Sequence, residues 1–231
     1  VVHCAGAVRG ATAADFNAVN VDGLERLVRA ALSLSPRPRF LSLSSLAARS
    51  PELSHYASSK RQGEVALAAM AEDMEWVALR PPAVYGPGDK EMLPLFQWMH
   101  RGIALVPGSP DARTSLIHVT GLVRAVLACL QSTAANGQTL TLCDGKHNGY
   151  SWRDMTIIAA QHWSRRVRLW CIPRWLLNGV AGLISTIARI TGNAPMLTPP
   201  KLRELRHEDW VVNNDAISSA TGWTPEVGLR E

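Results

Sequence analysis

The first 85 residues predict an α/β fold built on a doubly wound parallel sheet, because apolar strands and helices alternate along them. The runs Arg39-Phe-Leu-Ser-Leu-Ser-Ser45 and Glu75-Trp-Val-Ala-Leu-Arg80 are short and apolar, as buried strands are. A helix predicted from Ser59 to Met74 separates them. A strand, a helix and a second strand make a βαβ unit, and such units build parallel sheets with helices on both faces.

The neighbouring segments extend this pattern. A first strand is predicted over residues 1–6, and a helix from Ala14 to Leu34 follows it. Its expected core residues, at helical spacing, are Leu24, Leu27, Val28, Ala31 and Leu32. The expected apolar side of the next helix carries Val65, Ala68, Ala69 and Met70. A turn-rich crossover at residues 84–89 leads to another strand and helix within residues 116–130, which are expected to return to the main sheet.

Tyr56, Lys60 and Ser45 are the candidates for chemistry. Residues four apart share one helix face about 6 Å apart along the axis, so the phenol and the ammonium can share a pocket. A neighbouring cation favours the ionised phenol, whose pKa is near ~10, and so assists proton transfer. Ser45 ends the preceding strand and can hydrogen-bond the same substrate oxygen, which suits carbonyl and carbinol redox chemistry. An isolated Tyr-x-x-x-Lys pair is more often a solvated helix face, and the βαβ context favours the chemical interpretation.

Several short motifs follow one another in a consistent order. They are Val1-Val-His-Cys-Ala-Gly6, Asn20-Val-Asp-Gly23, Ser44-Ser45, Tyr56 with Lys60, Leu79-Arg-Pro-Pro-Ala-Val-Tyr-Gly-Pro-Gly-Asp89, Ser115-Leu-Ile-His-Val119 and Thr221-Gly-Trp-Thr-Pro225. In this order they resemble the extended short-chain dehydrogenase/reductases, also called the NAD-dependent epimerase/dehydratase family. The resemblance implies a Rossmann-like fold, NAD or NADP as cofactor, a small-molecule substrate, and a homodimer as a candidate assembly. It divides the chain into a partial dinucleotide-binding domain, 1–144, and a smaller, mostly helical substrate lobe, 145–231.

The resemblance also assigns roles to individual residues. Tyr56 would be the general acid/base, Lys60 would hold the nicotinamide ribose and depress the pKa of Tyr56, and Ser45 would orient the substrate oxygen. The implied cofactor-binding residues are Cys4, Ala5, Gly6, Ala7, Val8, Asn20, Tyr56, Lys60 and Pro82. For Asn20 and the turn at 4–8, a purely structural role is the alternative, since Asn readily begins a helix.

No metal site is predicted, because no carboxylate or His pair has ligand spacing. His3 and His118 lie in apolar strands and are expected to be hydrogen-bonded core histidines.

The glycine fingerprint that holds a cofactor pyrophosphate in this family has no counterpart in the sequence. Gly6 and Gly10 are the nearest candidates, but Arg9 and Thr12 stand where further glycines are needed. The sequence therefore predicts that residues 1–10 correspond to the family's fourth strand and its turn, and that at least one βαβ unit precedes them. A degenerate first strand is the alternative. Such a truncated chain is expected to bind the dinucleotide weakly and, with uncovered sheet edges, to associate.

The residues after Ser45 narrow the reaction. Leu46-Ala47 replace the Asp-Glu pair of sugar-nucleotide dehydratases, which disfavours dehydration. Ala48-Arg49-Ser50 replace the Val-Tyr-Gly typical of sugar epimerases and are closer to the reductase and 3β-hydroxysteroid-dehydrogenase-like branches. The leading hypothesis is an NAD(P)-dependent oxidoreductase acting on a secondary alcohol or ketone. A nucleotide-sugar epimerase and a non-catalytic dinucleotide-sensing protein are the alternatives.

Composition agrees with a globular enzyme. The 231 residues are 47% apolar and carry a net charge of +5. The sequence has no basic repeat interleaved with aromatic residues, so nucleic-acid binding is not predicted. Four cysteines without paired spacing indicate buried thiols in a reducing, cytoplasmic compartment. The uncharged stretch Trp175 to Ala188 is too short to span a bilayer. We expect it to be a buried lobe helix, with a helix lying in a membrane interface as the alternative.

Overall fold

Short apolar strands and capped helices alternate through the molecule. A computed structural model describes residues 1–191 and 198–230, with the side chains of 185–191 outside the described part. The strands are β1 (Val2–His3), β2 (Phe40–Leu43), β3 (Trp76–Arg80), β4 (Ala83–Tyr85), β5 (Ile103–Val106), β6 (Arg113–Thr114), β7 (Leu116–His118), β8 (Gln138–Thr141), β9 (Tyr150–Ser151), β10 (Arg168–Cys171) and β11 (Asp209–Trp210). The α-helices are α1 (Ala13–Asn20), α2 (Asp22–Leu32), α3 (His55–Met70), α4 (Leu93–His100), α5 (Val119–Gln131), α6 (Trp152–His162), α7 (Arg174–Thr191), α8 (Pro199–Leu205) and α9 (Asp215–Thr221). Short 3-10 helices lie at Leu46–Arg49 and Thr133–Ala135.

The main sheet is parallel and has helices on both faces, which confirms the doubly wound class. Its strand order is β1-β2-β3-β8, and every pairing within it is parallel. Side chains alternate between the faces of a strand. Phe40 and Ala78 therefore pack against α2 and α3, whereas Leu41, Val77 and Leu79 pack against α5 and α9.

The first helices differ from the sequence prediction in their boundaries. The predicted helix from Ala14 to Leu34 is two helices, because the chain bends at Val21 (φ −111°, ψ −68°). Leu24, Val28 and Ala31 are buried as predicted.

The catalytic-helix prediction was wrong at both ends and in its buried face. Helix α3 begins at His55 because Ser54 caps it, its hydroxyl accepting a hydrogen bond from the Ala57 N–H at 3.0 Å. It ends at Met70. The buried residues of α3 are Ala57, Ser59, Gly63, Glu64 and Leu67. Three residues of the predicted apolar side, Val65, Ala68 and Ala69, are instead exposed. This face of α3 is buried because it packs against α1 and α2 and because Glu64 forms an ion pair with Arg80. The hydrophobicity of the sequence alone does not identify it.

The strand at residues 116–118 does not join the main sheet, contrary to the prediction. Strand β7 pairs with β4 in a separate two-stranded sheet. Helix α5 then carries the chain over the main sheet, and β8, which the sequence analysis did not identify, pairs with β3. The chain therefore returns to the main sheet at β8, after α5, and not at β7 as predicted.

The region after residue 144 is mostly helical, as expected, but it is tied to earlier residues by strands. Strand β10 pairs with β5, while β9 and β11 flank β6. Helix α9 returns to pack beside α5 and β8. The division at residue 144 stays a prediction.

Helix α7 is not the buried helix that the uncharged stretch predicted. Trp175 is 75% exposed and Leu183 is 63% exposed, although Ala181 on the opposite side is fully buried. None of the described helices is long and apolar enough to cross a membrane.

Cysteine and histidine positions also correct two expectations. Cys129 and Cys143 are buried free thiols, but Cys4 and Cys171 are exposed. His3 is buried, and burial followed by the charge of Lys60 lowers its pKa. His118 is only partly buried. Its ring caps the start of α5, and its Nδ1 atom lies 2.7 Å from the Thr120 hydroxyl.

Candidate active site

The start of α3 places two of the candidate residues on one helix face. Because Ser54 is the cap, Tyr56 lies in the first turn and Lys60 one turn later. The Ser54 hydroxyl also donates to a carboxylate oxygen of Glu204 at 2.7 Å. This contact anchors the start of α3 to α8.

Ser45 meets Tyr56 at the carboxyl end of β2. Its hydroxyl caps the 3-10 helix at Leu46–Arg49 by accepting from the Ala47 N–H at 3.2 Å. The Ser45 side chain also lies close enough to the Tyr56 phenol to lower the pKa of the phenol. The Leu46 N–H donates to the Pro81 carbonyl at 2.9 Å, which brings the segment containing Pro82 beside this loop.

Lys60 extends from α3 to the ends of the first two strands. Its ammonium donates to the Leu43 carbonyl at 3.0 Å. A Cβ atom on Gly6 would lie 2.8 Å from Lys60 Nζ, so the turn after β1 passes directly over the ammonium. Burial lowers the pKa of Lys60, and the nearby Glu64 carboxylate opposes that shift.

The turn at 4–8 is held in shape by Asn20. The Asn20 side-chain oxygen accepts from the Ala7 N–H at 2.8 Å, and its amide donates to the Ala7 carbonyl at 3.0 Å. The same amide donates to the Ser59 hydroxyl at 2.9 Å, so one buried side chain joins the turn to α3. Asn20 ends α1 rather than beginning a helix.

The backbone around this turn is open to solvent. Cys4, Ala5, Gly6 and Val8 are exposed, and Ala7 is partly buried. An exposed turn at the carboxyl ends of parallel strands, with a cation behind it, is where open α/β sheets bind nucleotide ligands. Residues 4–8 are therefore candidates for contact with a nucleotide ligand.

The expectation that Lys60 depresses the pKa of Tyr56 was wrong. Burial raises the pKa of Tyr56 to about 12, the neighbouring Ser45 side chain opposes that shift, and the Glu204 carboxylate adds to it. The phenol ring packs edge-on against Phe16 at 6.2 Å between centroids. The Lys60 ammonium binds the Leu43 carbonyl instead, and desolvation dominates.

Sequence reasoning missed a buried carboxylate behind Lys60. Glu64 accepts hydrogen bonds from the Ser44 hydroxyl at 2.5 Å and from the Arg80 guanidinium at 2.8 and 2.5 Å. Tyr56, Lys60 and Glu64 recur every four residues, which was the available signal. Glu64 therefore ties α3 to the ends of β2 and β3.

Lys201 and Glu204 were also missed, and no spacing in the sequence connects them with Tyr56. The Lys201 ammonium lies 5.4 Å from the centre of the Tyr56 ring and forms an ion pair with Glu204. Arg49, which follows Ser45, donates to the Val211 carbonyl at 2.8 Å and stacks on Trp210 at 5.4 Å. Residues 198–212 thus close over the loop that carries Ser45.

Within the part of the chain that the structure describes, no cluster of three or more His, Cys, Asp or Glu side chains could hold a metal ion. The titratable groups nearest Ser45 are instead a phenol, a lysine ammonium and a Lys–Glu pair. They can bind an oxygen, supply a proton and steady a developing negative charge.

Comparison with known proteins gives four relevant matches: one family model, two related sequences and one solved structure. A model of the NAD dependent epimerase/dehydratase family matches residues 1–143. The chain is 35% identical over 228 residues to a ceramide reductase of Caulobacter vibrioides, covering 99% of this chain and 69% of that protein. It is 28% identical over 183 residues to a UDP-glucose 4-epimerase of Vibrio cholerae, covering 76% of this chain and 50% of that protein. RMD from Pseudomonas aeruginosa, solved with NADPH, has the same fold with a TM-score of 0.69 and 18% identity, covering 100% of this chain and 77% of that chain.

Proposed function

The chain belongs to the NAD-dependent epimerase/dehydratase family, and we propose that within this family it is a reductase that forms a secondary alcohol from a ketone. The observation that carries the proposal is the position of the Ser45 side chain at the carboxyl end of β2, close enough to the Tyr56 phenol to lower its pKa. The two hydroxyls can contact one substrate oxygen, which a ketone provides.

The raised pKa of Tyr56 leaves the phenol in the form that ketone reduction uses. With a pKa of about 12, the phenol is protonated throughout the neutral range. Reduction needs a proton donor at the substrate oxygen, whereas oxidation needs a proton acceptor. A protonated phenol is therefore in the correct form for reduction without any prior step.

We propose NAD or NADP as the cofactor, held at its nicotinamide end by this chain's own residues. The turn Cys4–Val8 would pass the cofactor, Lys60 would hold the ribose hydroxyls, and Pro82 would lie beside the nicotinamide. Asn20 would preserve the shape of the turn. The reduced nicotinamide, when bound, supplies the hydride.

The protein's part in the reaction is proton transfer and positioning. As the carbonyl carbon accepts hydride, negative charge develops on the carbonyl oxygen. Ser45 donates a hydrogen bond to that oxygen, and Tyr56 gives it the phenolic proton. The products are a secondary alcohol and the oxidised cofactor, and the Ser45 side chain, which lowers the pKa of Tyr56, stabilises the phenolate left behind.

The proposed substrate class is a ketone on an amphipathic lipid. The ceramide reductase is the more similar of the two relatives described, and its name gives a lipid as its substrate. The loop after Ser45 supports a reductase over a dehydratase, since Leu46 and Ala47 are buried and apolar and supply no acid/base group. A nucleotide-sugar epimerase remains the second candidate because of the epimerase relative. We place the protein in the cytoplasm, where free thiols such as Cys129 stay reduced.

The test is NAD(P)H oxidation by the purified chain at saturating cofactor. The added substrates are lipid ketones in one series and nucleotide sugars in the other. A reductase consumes one NAD(P)H for each alcohol formed, whereas an epimerase converts a nucleotide sugar without net change in absorbance. The variant Tyr56→Phe should lower the rate by about 10²–10⁴-fold without loss of helical content. Full biological activity in Tyr56→Phe would instead support a non-catalytic dinucleotide-sensing protein.

A further inference from the structure

The outward face of α7 is apolar, the reverse of an ordinary surface helix. Its exposed side chains are Trp175, Leu183, Leu176 and Val180, at 75%, 63%, 43% and 40% exposure. At about 100° per residue, these positions and the two glycines between them fall within one arc of about 160°. A surface helix normally presents polar residues over that arc.

The other side of α7 is fixed to the protein. Ala181 is fully buried, and the Arg206 guanidinium donates to the Asn178 side chain at 2.9 Å and to the Arg174 carbonyl at 3.3 Å. The helix is therefore held with its apolar face outward. Strand β10 leads directly into it, and Trp170 on that strand is 60% exposed.

The segments that flank this face in the sequence are basic. Between Asp154 and Glu204 the sequence contains no acidic residue, and its charged residues are Arg165, Arg166, Arg168, Arg174, Arg189, Lys201 and Arg203. Arg165, Arg166, Arg168 and Arg174 are exposed. Exposed tryptophans beside arginines are typical of surfaces that contact the headgroup region of a bilayer.

We propose that the face formed by Trp170, Trp175, Leu176, Val180 and Leu183 docks onto the anionic surface of a lipid bilayer. The apolar side chains enter the interface while the arginines contact acidic headgroups. The helix lies on the membrane, since none of the described helices can cross one. A symmetric pairing of two copies through this face would bring like arginines together, which disfavours a second copy as the occupant.

The helix that carries the docked face is linked to the proposed active site through α8. Helix α7 packs on α8, and Lys201 of α8 lies over the Tyr56 ring. If the proposed lipid ketone is the substrate, it would reach Tyr56 from the membrane side of the molecule. Membrane docking itself does not depend on that function, because it needs neither cofactor nor turnover.

The test is sedimentation of the whole chain with phosphatidylcholine vesicles that contain or lack phosphatidylglycerol. We expect binding to the anionic vesicles, weaker binding to neutral ones, and release by salt. Trp175→Ser and Leu183→Ser should each weaken binding by about tenfold. The matched controls are Trp98→Ser and Leu127→Ser, which alter exposed residues on α4 and α5 and should leave binding unchanged.

Each outcome decides the proposal. Absence of binding to anionic vesicles, or equal loss in the control variants, would overturn it. A dimer in sedimentation velocity that Trp175→Ser dissociates, without vesicle binding, would assign the face to a second copy instead. Ketone reduction with a water-soluble substrate and no vesicles tests the reductase separately, so failure of one leaves the other standing.

Discussion

The Lys201 ammonium lies 5.4 Å from the centre of the Tyr56 ring, across more than 140 residues of sequence. Lys201 is paired with Glu204, and Glu204 in turn accepts a hydrogen bond from Ser54 at 2.7 Å. Helix α8 therefore contacts both the proposed proton donor and the cap of the helix that carries it. Through Glu204, this contact also affects the acidity of the phenol.

Glu204→Gln should lower the pKa of Tyr56, because it removes the carboxylate charge that, after burial, keeps the phenol protonated. Glutamine can still accept the Ser54 hydrogen bond through its carbonyl oxygen. Oxidation of the alcohol requires the ionised phenol, so the pH profile of the oxidation rate should move to lower pH. The rate of ketone reduction at neutral pH should stay within about twofold of the unsubstituted protein.

The measurement is the initial rate in both directions between neutral and alkaline pH. Glu52→Gln removes an exposed carboxylate near the same loop and serves as the control. A profile that stays in place, or moves to higher pH, would show that Glu204 does not act on the phenol.

Arg80→Met should strongly destabilise the fold, since it leaves the buried Glu64 carboxylate without its bidentate partner. Breaking a buried ion pair from one side costs about 3–5 kcal/mol. The measurement is urea unfolding followed by circular dichroism.

Two further variants separate charge from packing. Arg61→Met removes the exposed arginine that also contacts Glu64 and should cost less than about 1 kcal/mol. The double change Glu64→Met with Arg80→Met should recover much of the loss, because no unpaired charge is then buried. If the double variant is no more stable than Arg80→Met, the unpaired charge is not the cause.

Gly63→Ala should destabilise the protein by about 1–3 kcal/mol, because its Cβ would lie 2.6 Å from the Asn20 carbonyl oxygen. Since Asn20 supports the turn at 4–8, the KM for the cofactor should rise as well. Gly179→Ala is the matched control: its Cβ meets nothing within 4 Å, so alanine should stabilise α7 by up to about 1 kcal/mol. Thermal unfolding of both variants distinguishes close helix packing from helix propensity, and equal effects would contradict the prediction.

Much of the chemistry was predictable because it is local. Tyr56 and Lys60 lie one helical turn apart, and Ser45 follows a buried strand, so spacing alone brings them to one edge of the sheet. Glu64 continues the same four-residue spacing and could have been found. Strand β8 was not recognised, since Gln138-Thr-Leu-Thr141 is largely polar and is exposed on part of its length.

The sequence by itself determined the parallel α/β class, the family, and which residues meet at the ends of β1 and β2. These features follow from local periodicity and short spacing. Only the tertiary structure decided that α8 covers Tyr56, that Lys60 binds the Leu43 carbonyl, and that α7 turns its apolar face outward. Those outcomes depend on contacts between distant segments, and burial, which sets the acidity of Tyr56, is a property of the packed molecule.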